Sequence, residues 1–301
     1  MRVDPNFITN MAGSLDQTQA KIEQLSDELS SGLRVTKLSD DSVAAGQNVL
    51  LLDQIERDDS FTQSASLVQG QLQVADSALG GVVTQLNQAI SVATGANNGT
   101  MNASQLAAVS NQLAGIRDEV VSLANTSYQG RYIFGGAQTA TAPFATSGAP
   151  AVTSYGGDDH VNYLETPNGA SIQLNMPGDQ IFSGPGASNV FAALNSLIAD
   201  YANGVNTGGA LTDAASLTSA LNYVSAQRVT LDNSLTRLNA ASDAVTSDET
   251  QVKAAQTNLM QADLPQVTTQ LSLSETQQTA LEDMIVELES ASNSLFNKLG
   301  G

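Results

Sequence analysis

Residues 61–93 read FTQSASLVQGQLQVADSALGGVVTQLNQAISVA. Within them Phe61, Ala65, Val68, Leu72, Ala75, Leu79, Val82, Leu86, Ala89 and Ala93 recur at alternating steps of four and three. That spacing places all of them on one stripe of an α-helix, as the a/d seam of a heptad pattern does. At the usual rise per residue the stretch predicts a helix roughly 50 Å long. Alanines between the larger side chains let a partner helix approach closely. Gly95-Ala96-Asn97-Asn98-Gly99 then predicts a reversal. Beyond it, Leu106, Val109, Leu113, Ile116, Val120 and Leu123 form a further seam, and the short loop makes the two helices antiparallel neighbours.

The same spacing extends outward to both ends of the chain. Towards the N-terminus it runs Ile8, Met11, Leu15, Thr18, Ile22, Leu25, Leu29. It stops at Ser30-Ser31-Gly32, where glycine suits a helix C-cap. Ser39-Asp40-Asp41-Ser42 supplies N-cap side chains for the next helix. Towards the C-terminus one seam is Leu217, Leu221, Val224, Arg228, Leu231, Leu235, Leu238, Ser242, Val245, Glu249, Val252, Gln256, Leu259. Its later members are often polar, so either that half is more solvated or the apolar face drifts around the helix. Asp263 and Pro265 predict a helix restart, and a last seam follows: Leu264, Val267, Leu271, Ser274, Gln278, Leu281, Ile285, Leu288, Ser292, Leu295, Leu299. Either terminal helix alone would be marginal in water. The economical arrangement pairs the two and leaves Phe7, Leu33, Met284 and Phe296 off the seam for neighbouring subunits. The polar seam residues Thr18, Arg228, Ser242 and Gln278 either set helix register or face solvent.

Between the helical arms the pattern changes. From Gly130 onward Gly, Pro, Tyr and Phe become frequent and helical spacing vanishes. His160-Val161-Asn162-Tyr163-Leu164-Glu165, then Thr166-Pro167-Asn168-Gly169, then Ala170-Ser171-Ile172-Gln173-Leu174-Asn175 predicts a hairpin, with alternating arms and an Asn-Gly turn. The segment is expected to be a small β-rich insert with its own core. The predicted organisation is an N-terminal helix (1–38), the N-terminal half of a helical rod (39–129), the insert (130–195), the C-terminal half of the rod (196–262) and a C-terminal helix (263–301). The fold class is mainly α: an elongated coiled-coil rod made from both chain ends.

Composition agrees with thin helical cores. Of 301 residues 4% are aromatic and 14% charged, and the net charge is −19. So acidic a chain repels phosphate backbones and anionic lipid, which disfavours nucleic-acid and membrane partners. Lys and Arg are missing between Arg131 and Arg228. The chain has no Cys, which removes disulfides and thiol chemistry. Met1-Arg2-Val3-Asp4-Pro5-Asn6 does not read as a cleaved secretory signal, and no apolar run is long enough to span a bilayer.

Few residues suggest chemistry. His160 is the single histidine, so a His-based triad or multi-His metal site would need other ligands. Asp158, Asp159, Glu165 and Asp179 could gather around Ca²⁺, but their spacing fits no EF-hand loop. Gly135-Gly136 and Gly156-Gly157 read as turns, lacking the context of a phosphate cradle. Asn98-Gly99-Thr100 and Asn102-Ala103-Ser104 match glycosylation sequons by chance. No nucleophile, base and oxyanion arrangement is evident. The expectation is no catalytic residue, no cofactor and no metal.

Two terminal motifs carry a family resemblance. Leu29-Ser30-Ser31-Gly32-Leu33-Arg34-Val35 followed by Ser39-Asp40-Asp41-Ser42-Val43-Ala44-Ala45 resembles the N-terminal signature of the flagellin superfamily, with Ser42 where Pro is usual. Gln261-Ala262-Asp263-Leu264, Leu271-Ser272 and Gln277-Gln278-Thr279-Ala280-Leu281 resemble its C-terminal signature, with Pro265 where Ala is usual. In the insert, Tyr128-Gln129-Gly130-Arg131-Tyr132-Ile133-Phe134-Gly135-Gly136 with Pro143-Phe144 is similar to the hook–filament junction (FlgL) branch. So are Tyr155-Gly156-Gly157-Asp158 and Asn175-Met176-Pro177-Gly178-Asp179-Gln180-Ile181-Phe182. The motif residues so picked out are Gly32, Arg34, Asp40, Asp41, Tyr132, Phe134, Gly136, Pro143, Phe144, Gly178, Asp179, Phe182, Asp263 and Leu271.

The resemblance implies a non-enzymatic structural subunit of the bacterial flagellum, exported through the flagellar type III apparatus without a cleaved signal peptide. It implies a homo-oligomeric layer joining an upstream hook-associated protein to flagellin, with a flagellar export chaperone as a further partner. The alternatives are a major filament flagellin, or a surface-adhesion or binding protein acting through the insert. The expected assembly interface is formed by Ile8, Met11, Leu15, Ile22, Leu25, Leu29, Leu281, Ile285, Leu288, Leu295 and Leu299.

Overall fold

The structure, a computed structural model, describes residues 5–147, 152–204 and 208–299. Among them lie seven α-helices: α1 (Pro5–Ser31), α2 (Ser42–Ala96), α3 (Ala103–Ala124), α4 (Gly178–Phe182), α5 (Val190–Ala202), α6 (Gly208–Met260) and α7 (Leu264–Leu299). Three antiparallel strand pairs sit between α3 and α4: β1 (Ser127–Tyr128) with β2 (Arg131–Tyr132), β3 (Phe144–Ser147) with β4 (Val152–Tyr155), and β5 (Tyr163–Glu165) with β6 (Ser171–Gln173). None of the described helices is long and apolar enough to cross a membrane.

The chain divides into two compact units, residues 57–247 and residues 1–56 with 248–301. In the first, every member of the 61–93 seam is buried. The α3 seam is buried too, apart from a half-buried Leu123 whose methyl groups pack against Gly81 of α2. A Cβ at Gly81 would stand about 3.0 Å from that side chain, so the close approach is made where the sequence offers no side chain. The six-residue connection between α2 and α3 carries a full capping box, with Asn102 and Gln105 each accepting from the other's backbone N–H at 2.9 Å. That accounts for the sharp restart of the helix. In α6, Leu217, Val224, Leu231, Leu238 and Val245 are buried and Leu221, Arg228, Leu235 and Ser242 half-buried. The face therefore does not drift.

The hairpin forms as expected, with Leu164 opposite Ile172. Its strands are three residues each, and Thr166 to Ala170 form a closed loop in which Gly169 has φ 81°. One expectation fails. The insert has no separate core: Phe134, Phe144, Ile172, Ile181 and Phe182 belong to the same buried cluster as Leu72, Leu79, Leu113 and Leu231. Strand pairs this short cannot cover both faces of an aromatic layer, so α2, α3, α5 and α6 complete it. Helix α5, not separately anticipated, is set by Asn189, which accepts from Ala192 N–H at 2.8 Å as N-cap. It lays Phe191, Leu194 and Leu197 into that cluster.

In the second unit α1 packs antiparallel on α7. Leu25 meets Val267 and Ala262, and the Gln278 amide donates to Gln19 Oε1 at 2.9 Å. Glycine ends α1 as expected: Gly32 has φ 69° and its N–H reaches Glu28 O at 2.9 Å. Two seam positions differ from expectation. Leu29 is 38% exposed while Glu28 is buried, because a straight helix drifts by about 20° per heptad against a strict seven-residue repeat. Leu264 is also exposed, since Ala262 and Val267 fill the covered places on either side of it. The side chains of Ile8, Ser292, Leu295, Phe296 and Leu299 lie outside the described residues.

Candidate functional site

The terminal motifs form a joint where the α1–α2 and α6–α7 connections are stitched together. Ala262 N–H donates to Gly32 O at 3.0 Å and Arg34 N–H to Met260 O at 2.7 Å, flanking an antiparallel bridge between Leu33 and Gln261. Arg34 reaches both ways. One terminal nitrogen donates to Leu259 O at 3.2 Å, and the other pairs with Asp41 Oδ2 at 3.1 Å. The two aspartates have separate tasks. Asp40 Oδ2 accepts from Thr36 and Lys37 N–H at 3.0 and 2.8 Å and closes the loop. Asp41 Oδ1 accepts from Val43 and Ala44 N–H at 3.1 and 2.9 Å and caps α2. These backbone donors, joined by Arg34 at Asp41, hold both carboxyls below the usual carboxylate range.

Ser42 is the first residue of α2, a position whose N–H has no helical partner, so proline and serine both fit it. Asp263 accepts from Gln266 N–H at 3.2 Å and caps α7. Pro265, in the first turn, likewise withdraws no needed donor. The departures from the family pattern are thus locally neutral.

From this joint α1 and α7 run side by side with only part of their apolar surface covered. Met11 and Leu25 are buried. Leu15, Ile22, Leu271, Leu281, Ile285 and Leu288 are half-buried. Phe7, Leu33 and Met284 are exposed, as expected of off-seam positions, and so are Leu273 and Val286. Two helices share one contact line and cannot cover a wider stripe. The polar seam members divide: Gln278 hydrogen-bonds across to Gln19, whereas Thr18 turns back to Ser14 O at 2.8 Å. In the larger unit Arg228 bonds both oxygens of Asp76, at 2.5 and 3.0 Å. That contact fixes the α2–α6 register and holds the Asp76 carboxyl low. Asp76 carries no sequence signal of its own, because a lone carboxylate beside a seam reads as solvated surface.

The insert motifs converge on one layer. Phe144 packs against Tyr155, Phe182 and Phe191 with centroids 5.1–5.2 Å apart, and Phe134 meets Phe182 edge-on at 5.8 Å. Two of the motif glycines leave no room for a side chain. Gly136 has φ 69°, and a Cβ there would run into Asp158. A Cβ at Gly178 would lie 2.6 Å from the Phe144 ring, and Gly178 N–H donates to Phe134 O at 2.7 Å. The Tyr155 hydroxyl donates within reach of Phe134 O (3.1 Å) and Asp158 O (2.7 Å), and burial pushes its phenol up to about 12. Asn125, past the end of α3, accepts from Phe144 N–H and donates to Phe144 O. Pro143 O takes the Gly156 N–H at 2.7 Å. Asp179 lies in the first turn of α4.

Three of the polar residues weighed for other chemistry are engaged in structure. Asp158 Oδ1 accepts from Ala137 and His160 N–H at 2.7 and 3.1 Å, Asn98 accepts from Thr100, and Asn102 caps α3. Among the described residues no group of three His, Cys, Asp or Glu could hold a metal ion.

Comparison with known proteins agrees with these features. Residues 6–139 match the bacterial flagellin N-terminal helical region. The fold is flagellin-like. The chain is 31% identical over 203 residues to flagellar hook-associated protein 3 of Escherichia coli (strain K12), covering 63% of this chain and 62% of the relative. It is 33% identical over 177 residues to flagellar hook-associated protein 3 of Salmonella typhimurium, covering 58% and 54%. The match thus spans less than two thirds of either curated relative. Among solved structures, a candidate flagellar hook-associated protein from Vibrio parahaemolyticus superposes with a TM-score of 0.65 at 18% identity, covering 74% of this chain and all (100%) of that one. The flagellar junction protein FlgL from Legionella pneumophila gives 0.57 at 14%, covering 72% and 100%. At those identities the two structures speak for the fold.

Proposed function

We propose that this chain is a structural, non-enzymatic subunit of the bacterial flagellum at the hook–filament junction. In this reading it forms a homo-oligomeric layer between an upstream hook-associated protein and the first flagellin subunits. The observation that carries it is the α1–α7 pair, whose seam is only half-covered and which leaves Phe7, Leu33 and Met284 exposed. Apolar ridges left open in this way are covered when subunits pack. The match to a flagellin N-terminal region and the likeness to hook-associated protein 3 support the flagellar setting.

The assembly face comprises Met11, Leu15, Ile22, Leu25, Leu29, Leu281, Ile285 and Leu288, continued by Ile8, Leu295 and Leu299. Folding free energy gained when this face is covered drives incorporation. Export proceeds through the flagellar type III apparatus with the help of a chaperone. A strain lacking the chain tests the proposal: hooks should remain on the cell while filaments appear in the medium. Loss of filament protein altogether would point to a filament flagellin instead. Normal motility with lost surface adhesion would point to a binding role of the insert.

A further inference from the structure

Against α2, the insert leaves a cavity of about 540 Å³ in the larger unit. It has the size of a small-ligand site. Its wall includes Tyr128, Arg131, Tyr132, His160, Asn162 and Tyr163. Although 30 of 301 residues are Asp or Glu, none of the residues lining the cavity is acidic, and they include the single histidine and one of eleven basic side chains.

The cationic group is held in place and left unpaired. Arg131 Nε donates to Thr139 Oγ1 at 3.1 Å, and its guanidinium makes no ion pair among the described residues. The turn that presents it is constrained. Gln129 and Gly130 have φ 51° and 77°, and Tyr128 stands directly opposite Arg131 across the strand pair. Positive φ at both central residues makes a primed hairpin turn, a geometry that Gln adopts at a cost. The Tyr128 hydroxyl lies against α2 at Gly70, where any Cβ would collide with it. At the opposite side the Asn175 amide ties down the His160–Asn162 edge, accepting from Asn162 N–H at 2.6 Å and donating to His160 O at 3.0 Å. Tyr163, on the same wall, is 59% exposed.

We infer that this cavity binds an acidic carbohydrate, a hexuronic-acid unit of a glycan. Arg131 would take the carboxylate through its paired terminal N–H groups, the geometry that makes arginine selective for planar anions. The tyrosine rings offer flat apolar faces to the sugar's C–H groups and hydroxyls at their edges. Asn162 and Gln71 supply amide donors and acceptors for ring hydroxyls. The inference does not depend on the junction reading, since it concerns a different surface.

The test uses the purified full chain. It has no Trp, so its intrinsic emission is that of six tyrosines, three of which line the cavity. Titration with trigalacturonic acid should change that emission saturably. Maltotriose, a neutral trisaccharide, and citrate, a carboxylate without a sugar ring, should each bind at least about tenfold more weakly. Arg131→Gln should abolish the preference for trigalacturonic acid over maltotriose, and Tyr163→Ala should weaken both sugars by about tenfold, with thermal unfolding unchanged in either variant. No saturable binding up to about 10 mM would overturn the inference. So would citrate or maltotriose binding as tightly as the acidic trisaccharide, or affinity indifferent to both substitutions.

Discussion

The two units use one spacing rule and reach different depths. In the larger unit Leu72, Leu79, Leu86 and Leu113 are completely enclosed, because α3, α5, α6 and the aromatic insert close over the α2 seam. In the terminal unit the same heptad spacing leaves Ile22, Leu281, Ile285 and Leu288 only half-covered and Leu29 exposed. Periodicity therefore reports that a face is meant to be covered, and the number of neighbours within the chain decides how far it is. Where neighbours within the chain run out, apolar surface is left uncovered.

The sharpest way to break this contrast is to damage the layer that is closed. Phe182 is fully buried between Phe134, Phe144 and Phe191. Phe182→Ala should cost roughly 3–5 kcal/mol, through lost transfer free energy and a residual cavity. Urea unfolding of the isolated chain measures it, and a cost near that of a surface substitution would show that the layer is not the core. Gly136→Ala is next, at roughly 2–4 kcal/mol, since it combines a left-handed backbone with a collision against Asp158 that no rotamer relieves. Gly130, in the same conformation but with open space around its Cβ position, should tolerate alanine better.

A smaller effect is expected at the Arg228–Asp76 pair, whose side chains are 37% and 25% exposed. Arg228→Met keeps the apolar stem and should cost about 1 kcal/mol at neutral pH, the screened value of a partly exposed pair. Its pH dependence has a definite sign. Arg228 lowers the Asp76 carboxyl from its ordinary 3.8, so the stabilisation is complete above that value and is lost as pH falls through the lowered one. The difference between the native chain and the variant should therefore be flat from neutrality down to about pH 5 and vanish in acid below both values. A difference that persists in acid would mean that the cost of the substitution does not come from the ion pair.

How much of this was legible in the sequence follows from the same contrast. The α2, α3 and α6 seams could be read residue by residue, because each buried position repeats a local rule of three and four. The caps at Gly32, Asp41 and Asp263 were legible for the same reason: a cap is made within a few residues of itself. The shared core was not. Nothing in the spacing of Phe134, Phe144 and Phe182 says that helices rather than strands cover them, since that depends on contacts far apart in the chain. Arg228 was visible as a polar seam member, but its partner Asp76 lies 152 positions away. The cavity wall was hidden likewise. Its motif Tyr128–Gly136 is readable in the sequence, yet the approach of Tyr128 to Gly70 and the shared cavity wall of Arg131 and His160 exist only in the fold.

The smallest effect on stability should accompany the largest effect on assembly, and the terminal unit contains the pair of leucines that separates the two. Leu25 is 1% exposed and packs on Ala262 and Val267. Leu29, one turn later in the same seam, is 38% exposed. Leu25→Ala should destabilise the isolated chain by about 2–4 kcal/mol. Leu29→Ala should change it by no more than about 0.5 kcal/mol, as surface substitutions do. If Leu29 belongs to a face completed by neighbouring subunits, the second variant should be exported and folded like the native chain and yet be poorly incorporated into flagella, as read by the share of hooks bearing filaments. Full incorporation of Leu29→Ala, with Leu25→Ala failing only in proportion to its lost stability, would mean that α1 and α7 cover each other as far as they are ever covered.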